Sequence, residues 1–198
     1  MHSPLASITH LLQLTAGPYR KARSTLNYLG MKKDPLRAPL IAGKVILKPT
    51  PILLHEVTED VAAIFETQAT QKQLVLRNQV PPELSVQADR DRLTQILVNL
   101  VDNAVKYTPE GGQVSISATS RGAVVEVCVQ DTGSGIPSTD LPRISERFYR
   151  VDRARSRQLG GTGLGLAIVK HLVQAHGGEL RIESELGRGT TVRFTLPV

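Results

Sequence analysis

Asn99, Asn103 and Lys106 lie within one short stretch of the chain, NLVDNAVKYT. Side chains three or four residues apart share one face of a helix, so these three would lie together. An amide oxygen is a hard ligand of the kind that Mg²⁺ accepts, and a lysine places a point charge beside a phosphate. The group therefore suits a polyanion with its metal ion, although helical asparagines are more often plain surface residues.

A carboxylate followed by two glycines occurs in DTGSGIP, Asp131 to Pro137, directly after an apolar strand pattern. Gly133 and Gly135 leave the backbone open, and the aspartate supplies one fixed acceptor. Such an acceptor pairs with an exocyclic amine, for example that of adenine. An ordinary Asp-Gly turn is the alternative interpretation of the same residues.

A glycine-rich loop, GGTGLGLAIVK, runs straight into a helical pattern. Gly161, Gly163 and Gly165 allow the backbone to close on a ligand, and the start of a helix presents free N–H groups with a positive partial charge. The pattern predicts a phosphate cradle. Its spacing is neither GxGxxG nor GxxxxGK[ST], so the two commonest nucleotide-binding folds are not supported.

Six arginines lie between these two loops, in the stretch 141–159. A basic insert beside a phosphate site predicts a mobile lid, and a solvated loop is the alternative. A last short motif, GRGTT at 187–191, precedes the final strand pattern and is uninformative by itself.

The elements that position these residues follow from hydrophobic periodicity. The helix predicted over Asp89–Tyr107 has an apolar stripe, which must face a core. The other predicted elements are helices over Ile52–Thr70 and Leu164–His176, and strands over Leu74–Gln79, Gln113–Thr119, Ala123–Gln130, Glu179–Glu183 and Thr190–Pro197. Because neighbouring strands form hairpins, we predict an α/β fold: a two-layer sandwich of a mixed, largely antiparallel sheet with helices on one face.

The N-terminal part differs in character. Residues 4–15 predict a helix with Ser3 as its N-cap, but eight glycines and prolines between residues 17 and 51 exclude one long helix after it. We therefore divide the chain into a short, atypical helical segment at 1–45 and an α/β domain at 46–198.

The composition of the chain limits where it is expected to act and what it is expected to bind. No apolar run approaches the ~20 residues that span a bilayer, and the lone Cys128, expected in the core, suits a reducing compartment. Residues 1–50 carry a charge of +7, from eight basic residues and Asp34. Three Phe, four Tyr and no Trp offer few rings for stacking on bases, so we expect no nucleic-acid partner.

In order and spacing, the motifs resemble the nitrogen, glycine and phenylalanine boxes of sensor histidine kinases. NLVDNAVKYT, DTGSGIP, ERFYRVD and GGTGLGLAIVKHLV are similar to that family nearly letter for letter, and the resemblance covers residues 46–198. It implies the Bergerat ATP-binding fold of the GHKL type, shared with gyrase, mismatch-repair and heat-shock chaperone ATPases. It also implies transfer of the ATP γ-phosphoryl group to a histidine, in the cytoplasm and within a larger two-component sensor.

The resemblance implies roles position by position. Asn103 would bind Mg²⁺, and Asn99 and Lys106 would be catalytic groups beside the phosphates. Asp131 would read the adenine amine, and Thr190 would support it through water. The whole implied ATP-binding set is Asn99, Asn103, Lys106, Tyr107, Asp131, Gly133, Gly135, Ile136, Phe148, Arg150, Gly161, Thr162, Gly163, Leu164, Gly165 and Thr190.

Within that set, Tyr107 would lie by the ribose and Arg150 would reach in from the lid. The implied cofactors are ATP and Mg²⁺. The implied partners are a response-regulator receiver domain, a phosphoacceptor histidine domain in cis or in trans, and a second copy of the chain in a homodimer.

Two other classes share this fold. Clamp-like ATPases, which hydrolyse ATP to drive movement, place a glutamate one turn before the magnesium asparagine as general base for water. Here that place is Asn99, which cannot accept a proton as a base. Serine kinases of the anti-sigma kind are the other alternative, and the ERFYR lid argues against them.

The N-terminal segment departs from the family. The residues Ser3–Ile8 are similar to the end of the phosphoacceptor box, in which a histidine precedes the proline by five residues, and neither His2 nor His10 matches that place. Pro35 and Pro39 interrupt the second helix of the family's hairpin, so the sequence does not predict its four-helix-bundle dimer. We expect this chain to lack the acceptor histidine.

Overall fold

The computed structural model describes residues 45–151 and 162–198. The predicted helix at 4–15, the rest of the segment through residue 44, and the lid residues 152–161, which include Gly161, lie outside the described residues.

The described residues form three helices and seven strands. The helices are α1, Leu54–Gln71, α2, Arg90–Tyr107, and α3, Gly165–Ala175. The strands are β1, Thr50–Leu53, β2, Val75–Gln79, β3, Ser85–Ala88, β4, Gln113–Arg121, β5, Val124–Asp131, β6, Leu180–Glu185, and β7, Gly189–Pro197. None of the described helices is long and apolar enough to cross a membrane.

Five strands form the main sheet, in the order β2-β4-β5-β7-β6. β2 runs parallel to β4, and every other neighbouring pair is antiparallel. Side chains alternate along β4, β5 and β7, so that one face is buried and the other is partly exposed. The three helices cover the buried face, which confirms the predicted two-layer α/β sandwich.

The core forms where the apolar stripe of α2 meets the sheet. Leu93, Ile96 and Leu97 of the predicted stripe are completely buried, and so is Val127 of β5. The polar face of α2, with Asn103 and Lys106, is left half-buried at the margin of the helical layer. Burial of the stripe therefore fixes the rotation of α2 and, with it, the direction of the polar face.

Two short strands, β1 and β3, are not foreseen by the sequence, which predicts that the first helix begins at Ile52. β1 instead pairs antiparallel with β3, with Thr50 opposite Ala88, and α1 begins only at Leu54. Each strand has four residues, too few for a clear alternation, and the pairing joins segments far apart in the chain.

His176 joins the end of α3 to the start of α2. It is buried, and its Nδ1 donates to the carbonyl of Leu172 over 2.8 Å. Its Nε2 accepts from the backbone N–H of Asp89, the N-cap of α2, over 3.1 Å. Asp89 in turn accepts from the N–H of Arg92. With Nδ1 as donor and Nε2 as acceptor, this imidazole joins the two helices that carry the motifs predicted to bind phosphate.

Cys128 is half-buried rather than in the core. It alternates with Val127 and Val129, which face the helices, and therefore lies on the opposite face of the sheet.

Candidate nucleotide-binding site

The start of α3 lies against the amide face of α2. A Cβ placed on Gly165 would be 3.2 Å from Oδ1 of Asn99 and 3.8 Å from Nδ2 of Asn103. The absence of a side chain at position 165 therefore lets the glycine loop approach both amides. The structure thus brings together the two motifs that the sequence indicates for phosphate and metal binding.

The two asparagines have different partners. Asn99 is buried and donates through Nδ2 to the carbonyl of Gln95, one turn earlier, over 2.8 Å. Asn103 is half-buried and, among the described residues, its amide makes no hydrogen bond. Asn99 is thus oriented by its own helix, whereas the amide of Asn103 is available to a ligand.

The start of α3 has the features of an anion site. Among the described residues, no side chain caps its first N–H groups, and the preceding Leu164 is buried. Thr162 accepts from the N–H of Leu164 over 3.4 Å, which turns the loop into the helix. An uncapped helix start presents several N–H donors and a positive partial charge to a phosphate.

Asp131 is mostly buried at the end of β5. Its Oδ1 accepts from the N–H of Gly133 over 2.8 Å and from the N–H of Thr190 over 3.2 Å. Among the described residues these are its hydrogen bonds, so Oδ2 is available to a ligand. Burial raises the pKa of this carboxyl above its usual value, and the two N–H donors only partly oppose that change.

Ser184 holds the neighbouring loop in place. Its hydroxyl accepts from the N–H of Ile136 over 2.8 Å, lies 2.9 Å from Oγ1 of Thr190, and contacts the carbonyl of Gly189. Thr190 therefore supports Asp131 directly through its backbone, and the predicted water-mediated contact of its hydroxyl stays a prediction.

The end of α2 contacts the loop that follows Asp131. The N–H of Ser134 donates to the carbonyl of Tyr107 over 3.1 Å, and a Cβ on Gly133 would be 2.8 Å from that carbonyl. Lys106 pairs with Asp102, one turn earlier on the same helix, over 2.5 Å. The predicted ribose residue, Tyr107, thus lies beside the loop that follows the predicted adenine acceptor.

The first part of the lid is tied to the glycine loop. The N–H of Phe148 donates to the carbonyl of Gly163 over 2.8 Å, and both residues have positive φ, 65° and 71°. The side chain of Phe148 is 63% exposed. Arg150 is half-buried, and among the described residues no contact joins it to the site, so its role stays a prediction.

Tyr149 anchors this lid segment. Its hydroxyl donates to the carboxylate of Asp140, which raises the pKa of Tyr149, and the guanidinium of Arg143 lies 4.4 Å from the centre of its ring.

Gly135 offers a direct test of how tightly the Asp131 loop is packed. A Cβ there would lie 2.0 Å from the carbonyl oxygen of Glu185, and φ is +66°. Gly122 has nearly the same φ, +67°, but open space around it. We expect Gly122→Ala to lose about 1 kcal/mol of unfolding free energy and Gly135→Ala about 3 kcal/mol or more. Urea unfolding measures both, and equal losses would contradict the packing.

Sequence reasoning missed several residues around the site. The pairing of Asp102 with Lys106 could have been predicted, because Asp102 stands four residues before Lys106 on one helix face. Ser184 and Tyr149 gave no local signal, because each acts on a residue brought near only by folding.

The donor set fits ATP with magnesium. Among the described residues, no three His, Cys, Asp or Glu side chains cluster as a metal site. A single amide ligand, Asn103, beside a phosphate cradle is what Mg²⁺ needs when the phosphates supply most of its remaining ligands. Among the described residues, Oδ2 of Asp131 is a further available acceptor, and the uncapped start of α3 offers backbone donors.

Residues 88–198 match the family described as histidine kinase-, DNA gyrase B-, and HSP90-like ATPases. The chain therefore belongs to this family. Its relatives include the sensor histidine kinase WalK of Bacillus subtilis, 49% identical over 67% of this chain and 22% of WalK. The sensor-like histidine kinase SenX3 of Mycobacterium tuberculosis is 41% identical over 75% of this chain and 36% of SenX3. The chain thus spans less than two fifths of either relative.

Solved structures that are similar to this chain are also histidine kinases. The catalytic domain of the histidine kinase ThkA is similar with a TM-score of 0.68 and 29% identity, over 76% of this chain and 96% of that domain. Full-length ShkA in complex with AMPPNP has a TM-score of 0.70 and 33% identity, over 95% of this chain and 36% of ShkA. ThkA in complex with the response regulator protein TrrA has a TM-score of 0.65 and 25% identity, over 100% of this chain and 53% of that one. The described domain is the ATP-binding catalytic domain of a sensor histidine kinase.

Proposed function

We propose that this domain binds Mg-ATP and transfers its γ-phosphoryl group to a histidine of a phosphoacceptor domain. The observation that carries the proposal is the contact of the amide face of α2 with the start of α3, in a site that has an amide, Asn99, where a hydrolase would need a base. Without a base for water, the site favours a nucleophile that another domain positions.

Each residue has a part in this reaction. Asp131 accepts from the adenine amine through Oδ2, Tyr107 lies by the ribose, and Lys106 exchanges its pairing with Asp102 for the phosphates. The start of α3 and Gly163 donate backbone N–H groups to the phosphate chain. Asn103 would hold Mg²⁺, which would neutralise charge on the phosphates.

The reaction itself needs little covalent chemistry from the domain. A nitrogen of the acceptor imidazole forms a bond to the γ-phosphorus while the bond to the bridging oxygen breaks, and ADP leaves with that electron pair. The phosphohistidine is then consumed by an aspartate of a receiver domain. This partner is proposed on the strength of the ThkA–TrrA complex, and we place the reaction in the cytoplasm, where ATP is available.

The test supplies the acceptor in trans. We expect this chain with γ-labelled ATP to show little label by itself, and to label an added phosphoacceptor hairpin from a related kinase with acid-labile, base-stable phosphate. A hairpin with its acceptor histidine replaced by glutamine is the matched control. Label in that control, or rapid release of inorganic phosphate without an acceptor, would contradict a histidine kinase and favour an ATPase.

Stoichiometric label on this chain, lost on replacing His2 or His10, would show that the N-terminal segment contains an acceptor.

A further inference from the structure

The last turn of α2 carries Lys106 and Tyr107, and the position of both depends on how that turn ends. The last four carbonyl groups of any α-helix have no partner within the helix, and an unpaired buried carbonyl is costly. In α2 these are the carbonyls of residues 104–107. The groups that satisfy them therefore decide whether the turn stays intact.

Each of these four carbonyls has a partner. The carbonyl of Ala104 accepts from the backbone N–H of Thr108, and that of Tyr107 accepts from Ser134. The carbonyls of the two residues between them, Val105 and Lys106, accept from the ammonium of Lys72.

The Lys72 ammonium makes three such bonds. Its Nζ lies 2.6 Å from the carbonyl oxygen of Val105, 3.3 Å from that of Lys106 and 2.6 Å from that of Thr108. Three carbonyls use all three donors of an ammonium group. The positive charge also lies at the negative end of the helix dipole, where a cation stabilises the last turn.

Lys72 is itself held in place by its backbone. It follows α1, where its N–H donates to the carbonyls of Gln68 and Ala69, and its carbonyl accepts from the N–H of Gly111 over 3.2 Å. Its side chain thus crosses from the end of α1 to the end of α2 with both ends fixed.

We propose that Lys72 is a positioning residue for phosphate binding, which acts by closing the C-terminal turn of α2 and so fixing the backbone from which Lys106 reaches the phosphates. This inference rests on the proposed function, because it assigns Lys106 to the phosphates. In this proposal Lys72 acts through the backbone of Lys106, whose carbonyl its ammonium contacts.

The test is a double-mutant cycle on the full chain, with calorimetric titration of AMPPNP and Mg²⁺. We expect Lys72→Met to raise the dissociation constant on the order of tenfold, because the charged hydrogen bonds that hold the turn are lost. We expect Lys72→Arg, which keeps charge and donors, to restore most of the affinity. In a Lys106→Met background, Lys72→Met should have a much smaller effect, because the side chain through which it mainly acts is gone and only Tyr107 remains to be displaced.

A merely structural role predicts a different result. Loss of stability alone would weaken binding equally in both backgrounds, so an undiminished effect of Lys72→Met in Lys106→Met overturns the inference, as does parental affinity in Lys72→Met. If Lys72→Met does not fold, Lys72→Gln, which keeps donors without the charge, takes its place in the cycle. Parental affinity in Lys106→Met would instead overturn the assignment of Lys106 to the phosphates, and no binding by the parent would overturn the proposed function.

Discussion

Replacing Asp131 by asparagine is expected to weaken ATP binding by about 2–3 kcal/mol, the scale of a lost charged hydrogen bond. The substitution leaves Oδ1 in place, so the bonds from Gly133 and Thr190 are kept. It changes Oδ2 into an NH₂ group, which would face the adenine amine with a donor against a donor. Calorimetry with an ATP analogue measures the loss.

The same change should not harm the fold. Burial raises the pKa of Asp131, so this group favours folding below its unfolded pKa, and that advantage is lost as pH rises through the folded pKa. At neutral pH the ionised, buried carboxylate therefore costs stability, and a neutral amide removes that cost. We expect the unfolding temperature of the nucleotide-free Asp131→Asn variant at pH 7 to equal or exceed that of the parent.

A nucleotide with a different base tests whether the effect of Asp131→Asn comes from recognition of the adenine amine. Inosine triphosphate has a carbonyl oxygen where adenine has the amine, so the new amide can donate to it. We expect Asp131→Asn to reduce the preference for ATP over ITP, while Asp91→Asn, which removes the same charge from an exposed position on α2, leaves it unchanged. If Asp131→Asn binds ATP with the affinity of the parent, the carboxylate does not accept a hydrogen bond from the adenine amine.

The sequence predicted those parts of the site that are local. Asn99, Asn103 and Lys106 are fixed relative to one another by helical spacing, and the apolar stripe that directs them away from the sheet is visible as a period of 3.6 residues. The main strands and helices followed from the same reasoning, and their order implied a layered α/β fold.

The parts that the sequence did not predict depend on distant segments. The sequence gives no local sign that His176 is buried against the N-cap of α2, 87 positions away in the chain. The role of Lys72 has no local signal in the sequence, because the carbonyls it binds belong to another helix. Such contacts carry no periodicity, so only the folded chain shows which polar side chain completes which helix end.

The second large effect is expected from replacing Asn103, the residue predicted to bind Mg²⁺. Among the described residues the Asn103 amide has no hydrogen-bond partner, so its removal should cost the fold little. We expect Asn103→Ala to lose most of the gain in ATP affinity that Mg²⁺ gives the parent. Transfer to an acceptor in trans should fall on the order of 100-fold, because charge on the phosphates is no longer neutralised in place.

Asn103→Asp is the matched variant, because it keeps an oxygen ligand at the same position and adds charge. It should retain a clear response to Mg²⁺, whereas Asn103→Ala should bind ATP almost equally with Mg²⁺ and with EDTA. The measurement is ATP-analogue affinity across a Mg²⁺ titration, which needs no turnover and so separates metal binding from catalysis. If Asn103→Ala binds Mg-ATP as the parent does, the metal is held elsewhere, and Asn103 serves only to leave room for the start of α3 beside Gly165.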